Sequence, residues 1–215
     1  MIGPNGAGKT TLFDLITGFQ HPTSGKVLLN GHEITGQNPD QIVRKGMNRT
    51  FQIVRPFKDL TVMENVLVGL IQGKGRLTRE HGREALGREA IELLQLVGLT
   101  RTPLGLARNL AHGELKKLEL ARALSTYPEV LLVDEVFSGL SAQETKELSD
   151  ALVRVKEKRN LTLVMVEHKV STVVQLANRM LVLDYGELLS EGTPQEILND
   201  PKVLEAYLGR GPVVA

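Results

Sequence analysis

An α/β fold with a parallel sheet and a helical insert is predicted by three observations. A glycine-rich loop ending in Lys9 and Thr10 opens the chain. Two apolar runs of strand length, Val130 to Val133 and Leu161 to Val166, each lead straight into polar residues. Between the two ends, from about Ile53 to Thr126, apolar residues recur at helical spacing and β-branched runs are few. At 215 residues, 41% hydrophobic and 24% charged, the chain suffices for one such domain. Residues 1–52 and 127–215 are read as its core and 53–126 as the insert.

The first element is the loop itself. Gly3-Pro4-Asn5-Gly6-Ala7-Gly8-Lys9-Thr10-Thr11 fits the phosphate-loop pattern G-x-x-x-x-G-K-[ST] at every fixed position. Its glycines free the backbone to turn successive N–H groups onto phosphate oxygens. Lys9 is placed to reach the β- and γ-phosphates and Thr10 to offer a hydroxyl to Mg²⁺, while the following helix points its positive end at the anion. Such a loop normally hangs from a buried parallel strand, yet only Met1 and Ile2 precede Gly3. The strand is therefore expected to be missing from this sequence.

The remaining elements follow in order. Thr11 to Thr17 reads as the phosphate-loop helix, stopped at Gly18, and Lys26 to Leu29 with Asn30-Gly31 as a hairpin edge. Thr61-Val62-Met63-Glu64 is a capping box opening a helix through Leu70. Gly73 to Gly82 reads as a polar, basic loop, and Arg83 to Val97 as an amphipathic helix ended by Gly98. The apolar runs after Glu129 have the pattern of parallel strands covered on both faces. Ser141 and Glu144 cap a helix to about Lys158; Met180 to Leu183, a Tyr185-Gly186 turn and Glu187 to Ser190 finish the strands, and Thr193 to Glu196 starts the last helices.

Chemistry gathers at the strand ends. Asp134, directly after Val130 to Val133, is placed to hold Mg²⁺ through water beside the loop, and Glu135 to orient or deprotonate an attacking water. His168 follows the next apolar strand on the same sheet edge, where an imidazole holds γ-phosphate, water and Glu135 in register. Gln52, ending Arg49-Thr50-Phe51-Gln52, sits where core gives way to insert, within reach of Mg²⁺ or the water. Leu110-Ala111-His112-Gly113-Glu114 precedes a helix through Ala123 whose N-terminus presents N–H groups to an anion, one not bound by the chain's own loop. His21, His32 and His81 read as solvated.

Composition removes other classes. A net charge of +1, no long basic run and 4% aromatics argue against a nucleic-acid partner. Zero cysteines exclude disulfides and thiolate metal sites. No apolar stretch reaches the roughly 18 residues of a membrane span and no signal peptide is visible, so the chain is not expected to span a membrane. A cytoplasmic location follows, unless a partner anchors it.

In order and spacing these motifs resemble the ATP-binding subunits of ABC transporters, over nearly the whole chain. The resemblance implies a RecA-like core, with Walker A on Gly3 to Thr11, the Q-loop on Gln52, the signature on Leu110 to Glu114 and Walker B on Val130 to Asp134. It further implies Glu135 as catalytic glutamate, Ser138 to Ser141 as D-loop and His168 as switch histidine. Thus Glu135, His168 and Gln52 are the expected catalytic set; Thr10, Gln52 and Asp134 the expected metal set; and the loop with Ala111, Gly113 and Glu114 the nucleotide set. ATP and Mg²⁺ are the implied cofactors. Implied partners are a second ABC ATPase subunit, paired head to tail so that each ATP lies between one Walker A and the other signature, and a membrane permease docked beside Gln52. Arg49 to Gly69, Ala142 to Leu148 and the ending Glu191 to Gly209 look most like the importers of branched-chain amino acids. The chain departs from the family at Ala111, which stands where L-S-G-G-Q has serine, at Ser141, where the D-loop usually carries Asp, and at Val136, where Pro is common. The upstream aromatic that stacks on adenine is also lacking. Ala111 and Ser141 motivate a rival reading, a hydrolysis-poor nucleotide-binding partner in a heterodimer. A phosphoryl-transferring kinase is a third, without an arginine-rich lid or acceptor pocket to support it.

Overall fold

A computed structural model describes residues 1–52, 55–72 and 82–208. The expected basic loop from Gly73, together with His81 and Gly209, lies outside them.

The element order is α1 (Lys9–Ile16), β1 (Leu28–Leu29), β2 (His32–Glu33), α2 (Pro39–Arg44), β3 (Met47–Arg49), α3 (Val62–Gln72), α4 (Arg83–Leu96), a 3₁₀ turn (Ala107–Asn109) and α5 (His112–Leu124). It continues with β4 (Val130–Asp134), α6 (Ala142–Arg159), β5 (Thr162–Val166), α7 (Val170–Leu176), β6 (Met180–Asp184), β7 (Glu187–Gly192), α8 (Pro194–Leu198) and α9 (Pro201–Leu208). The short helices α2 and α7 are additions to the predicted order. Six and seven residues are too few for a helical period to stand out. Pro39 in the first turn of α2, with Gln41 Oε1 accepting from the Asn38 N–H at 3.0 Å, is the local signal that was available.

Strands β3, β4 and β5 form a parallel sheet in that order, and β6 and β7 an antiparallel hairpin. The gap between them is where the loop-bearing strand was expected to be missing. Met1 and Ile2 occupy it: Ile2 bridges Val182 in parallel, donating to Leu181 C=O at 2.9 Å and accepting from Leu183 N–H at 3.0 Å. On the other side the Met1 amino group donates to Met165 C=O, and Met1 C=O accepts from Glu167 N–H. Two residues thus hang the loop between β5 and β6.

Alternation along β4 covers both its faces, as its apolar run predicts. Leu131 and Val133 enter a core with Val66, Leu94, Leu118 and Leu152, contributed by α3 to α6. Leu132 faces the opposite way, packing with Phe13 of α1, Met47 and Val166. Helices α3, α4 and α5 pack on one another. Capping agrees with the sequence: Thr61 and Glu64 exchange bonds at the start of α3, and Ser141 and Glu144 at the start of α6. Among the described residues no helix is long and apolar enough to cross a membrane.

Candidate functional site

The parallel strands deliver their C-terminal ends to one edge, where the loop after Ile2, Gln52 after β3, Glu135 after β4 and His168 after β5 lie side by side. Gly8 begins α1 with a left-handed backbone (φ 93°), turning the loop into the helix. Gly3 is needed for a close approach: a Cβ there would stand 2.2 Å from Leu183 carbonyl oxygen, so the loop packs directly on β6. Lys9 is buried, and its Nζ donates to the carbonyls of Gly3 at 2.8 Å and Pro4 at 2.9 Å. Burial lowers the Lys9 pKa, and the carboxylates of Glu135 and Asp134 oppose that shift. Asn5, Gly6, Thr10 and Thr11 are exposed; Ala7 is buried, and its carbonyl accepts from Gly186 N–H at 3.1 Å.

Glu135 is the centre of the polar cluster. Gln52 Nε2 donates to its Oε2 at 2.8 Å and His168 Nε2 to its Oε1 at 2.8 Å, so both carboxylate oxygens are held. Its backbone is left-handed (φ 45°), uncommon for a residue with a side chain and a mark of functional turns. The turn is fixed from behind by Glu167, whose buried carboxylate accepts from Phe137 N–H at 3.2 Å. Burial raises the Glu167 pKa, against the bonds from Phe137 and Val136.

Asp134 ends β4 almost fully buried, and its Oδ2 accepts from Arg49 Nη2 at 2.5 Å. Among the described residues Oδ1 makes no hydrogen bond. An exposed Thr10 hydroxyl, one uncommitted carboxylate oxygen and the Gln52 amide are hard oxygen donors of the kind Mg²⁺ takes, so the residues fit that ion.

The segment Leu110 to Glu114 is not brought to the phosphate loop; among the described residues it makes no hydrogen bond or ion pair with residues 3–11. It lies instead against the turn before α6. The His112 ring sits 3.3 Å from Ser138 C=O, and a Cβ on Gly113 would stand 2.5 Å from Glu144 Oε1. Ala111 N–H donates to Glu114 Oε2 at 3.0 Å. Ala111 has no side-chain oxygen to return the bond, so this helix start carries half a capping box.

Sequence reasoning passed over four charged residues that organise the site: Arg49, Lys116, Glu119 and Glu167. Lys116 Nζ donates to Gln52 C=O at 2.8 Å, and Glu119 Oε1 accepts from Phe51 N–H at 2.8 Å. Both project from α5 and both are buried. The available signal was adjacency: Arg49 stands three residues before Gln52, and Glu167 one before His168.

Fold and site together define a phosphate-loop nucleotide hydrolase. The ABC transporter family pattern matches residues 1–138, and that of the branched-chain amino acid ATP-binding cassette transporters residues 187–212. The chain is 42% identical to the high-affinity branched-chain amino acid transport ATP-binding protein LivG of Escherichia coli, covering 97% of this chain and 86% of that one. It is 40% identical, with the same coverage, to BraF of Pseudomonas aeruginosa, which carries the same description. Among solved structures it superposes with TM-score 0.84 and 32% identity on the ADP conformation of an ATP-binding cassette of an ABC transporter, covering 97% of this chain and 86% of that one. A dimeric post-hydrolysis cassette bound to ADP and Pi superposes with TM-score 0.78 and 26% identity, over 90% of this chain and 83% of that one. The chain belongs to the ABC transporter family and is an ATPase of that class.

Proposed function

We propose that the chain hydrolyses ATP at the loop edge of its sheet to drive an importer of branched-chain amino acids. The observation that carries the reading is Glu135, held on both oxygens by Gln52 and His168 beside a complete phosphate loop. Lys9 exchanges the Gly3 and Pro4 carbonyls for β- and γ-phosphate oxygens, and the N–H groups of the loop complete the anion cradle. Glu135 accepts a hydrogen bond from water and aims its oxygen at the γ-phosphorus. As that P–O bond forms, the bond to the ADP oxygen breaks; the water proton passes through Glu135 to the departing phosphate. His168 and Gln52 fix the carboxylate during this transfer. Thr10, Gln52 and, through water, Asp134 are the residues that would hold magnesium, which would supply charge neutralisation to the phosphates.

Residues 53–126 act as the helical subdomain, and Leu110 to Glu114, turned away from this chain's own loop, serve the nucleotide of a second ABC ATPase subunit. A permease binds beside Gln52 and holds the chain at the cytoplasmic face of the membrane. Two shared γ-phosphates bridge the subunits, and hydrolysis removes the bridge, so a local charge change becomes a domain motion. The branched-chain assignment rests on the relatives and on the match over residues 187–212. Glu135 and His168, both in place, weigh against the hydrolysis-poor alternative that Ala111 and Ser141 raised. Uptake of leucine, isoleucine and valine at low concentration, measured with and without the gene, tests the solute: loss of uptake is expected, and undiminished uptake of all three refutes it.

A further inference from the structure

Arg49 is a charged residue with 5% of its side chain exposed, and the hydrolytic cluster of Gln52, Glu135 and His168 does not use it. Its guanidinium is shared between two carboxylates on different elements. Nη1 bonds Asp14 Oδ1 of α1 at 2.5 Å, and Nη2 bonds Asp134 Oδ2 at the end of β4 at 2.5 Å. Phe13 and Phe51 flank it, with ring centroids 5.3 and 5.2 Å from its central carbon. The next residues are held as firmly: Thr50 N–H donates to Leu132 C=O at 2.9 Å, and Phe51 and Gln52 are clasped by Glu119 and Lys116. The guanidinium therefore cannot follow Asp134 if that side chain turns; Asp134 must stay with it.

Building on the reading of Asp134 as the magnesium carboxylate, we propose that Arg49 is its positioning residue. By occupying Oδ2 and anchoring to Asp14 of the phosphate-loop helix, Arg49 presents Oδ1 alone, in a fixed direction, to the cation beside Thr10. A planar guanidinium suits this better than an ammonium, since its two Nη atoms reach carboxylates on different elements from one fixed plane, whereas an ammonium must bond both from a single nitrogen on a flexible stem. Partners that orient a metal-binding side chain typically contribute tenfold or more to metal affinity.

The test is equilibrium binding of a fluorescent ATP analogue to the full chain, in excess MgCl₂ and in EDTA. The readout is the affinity gained from magnesium, which a purely structural arginine would leave unchanged. Arg49→Met should reduce this gain about tenfold while the EDTA affinity stays near wild type, and Arg49→Lys should show a smaller loss. If Arg49→Met fails to fold, Asp14→Asn carries the test: Asp14 is one-third exposed, and its loss frees the guanidinium from α1, so a several-fold reduction is expected. An undiminished or larger gain in the variants that fold overturns the inference, as does an equal fall in both affinities. Asp134→Asn separates the two readings. If it abolishes the gain while the Arg49 variants keep it, the inference alone fails; if it keeps the gain, the magnesium role of Asp134 fails and the inference with it.

Discussion

Two side chains from neighbouring strands fix the direction of Glu135, and its backbone holds a left-handed turn against the usual preference. Glu135→Gln keeps the size and much of the bonding but removes the proton acceptor. Turnover should fall by about 10²–10⁴-fold with nucleotide affinity retained, as single-turnover and binding assays would show; wild-type turnover would remove Glu135 from the chemistry. Glu167 supports a pH prediction. Its native pKa lies above the ordinary value of 4.5 because burial disfavours the ionised form. Native stability from this group is therefore greatest at low pH and declines as pH rises from 4.5 through the native pKa. Glu167→Gln should remove that decline, so the variant's unfolding midpoint should gain on wild type between acid and neutral pH; a constant difference would contradict this. The candidate residues Asp134, Glu135 and His168 were legible because they follow apolar runs of strand length, a position fixed by spacing alone. Arg49 and Glu167 were not, because a charged residue in a sequence reads as solvated until tertiary packing surrounds it.

Helix α5 joins two parts of the site at the scale of elements. Its first turn presents Ala111 to Glu114, and one turn further Lys116 and Glu119 clasp the backbone of Phe51 and Gln52. Lys116→Met preserves the buried stem but leaves the Gln52 carbonyl without its donor. It should cost about 1.5–3 kcal/mol in denaturant unfolding, the worth of a hydrogen bond to a charged group; a midpoint equal to wild type would show that the clasp contributes nothing. At the start of α6, Ser141 stands where the family usually has Asp, and its hydroxyl accepts from Glu144 N–H at 3.3 Å. Asp is an equivalent N-cap, so Ser141→Asp should be neutral in stability while Ser141→Ala costs about 1 kcal/mol. Thermal unfolding of the pair decides whether the departure is one of capping. The capping boxes of α3 and α6 were readable because all their bonds lie within four residues. The short helices α2 and α7 were not, since six and seven residues fall short of the window over which a helical period stands out.

At the scale of the whole molecule, the sheet was legible as parallel from two apolar runs, while the joint between β5 and β6 was not. Met1 and Ile2 are too short to register as a strand, and they join β5 to β6 by hydrogen bonds to residues about 165 and 180 positions away, Met165 and Leu181. The helix start at Leu110 to Glu114 lies against the Ser138 turn, apart from the chain's own phosphate loop. On the proposed reading, a second copy or a related subunit completes each hydrolytic site. Steady-state hydrolysis of Mg²⁺-ATP measured against protein concentration tests this most directly. A motor that works as a dimer gives a rate that rises more steeply than in proportion to protein at low concentration and becomes proportional once dimers dominate. A strictly proportional rate throughout, or binding without turnover at every concentration, would contradict it.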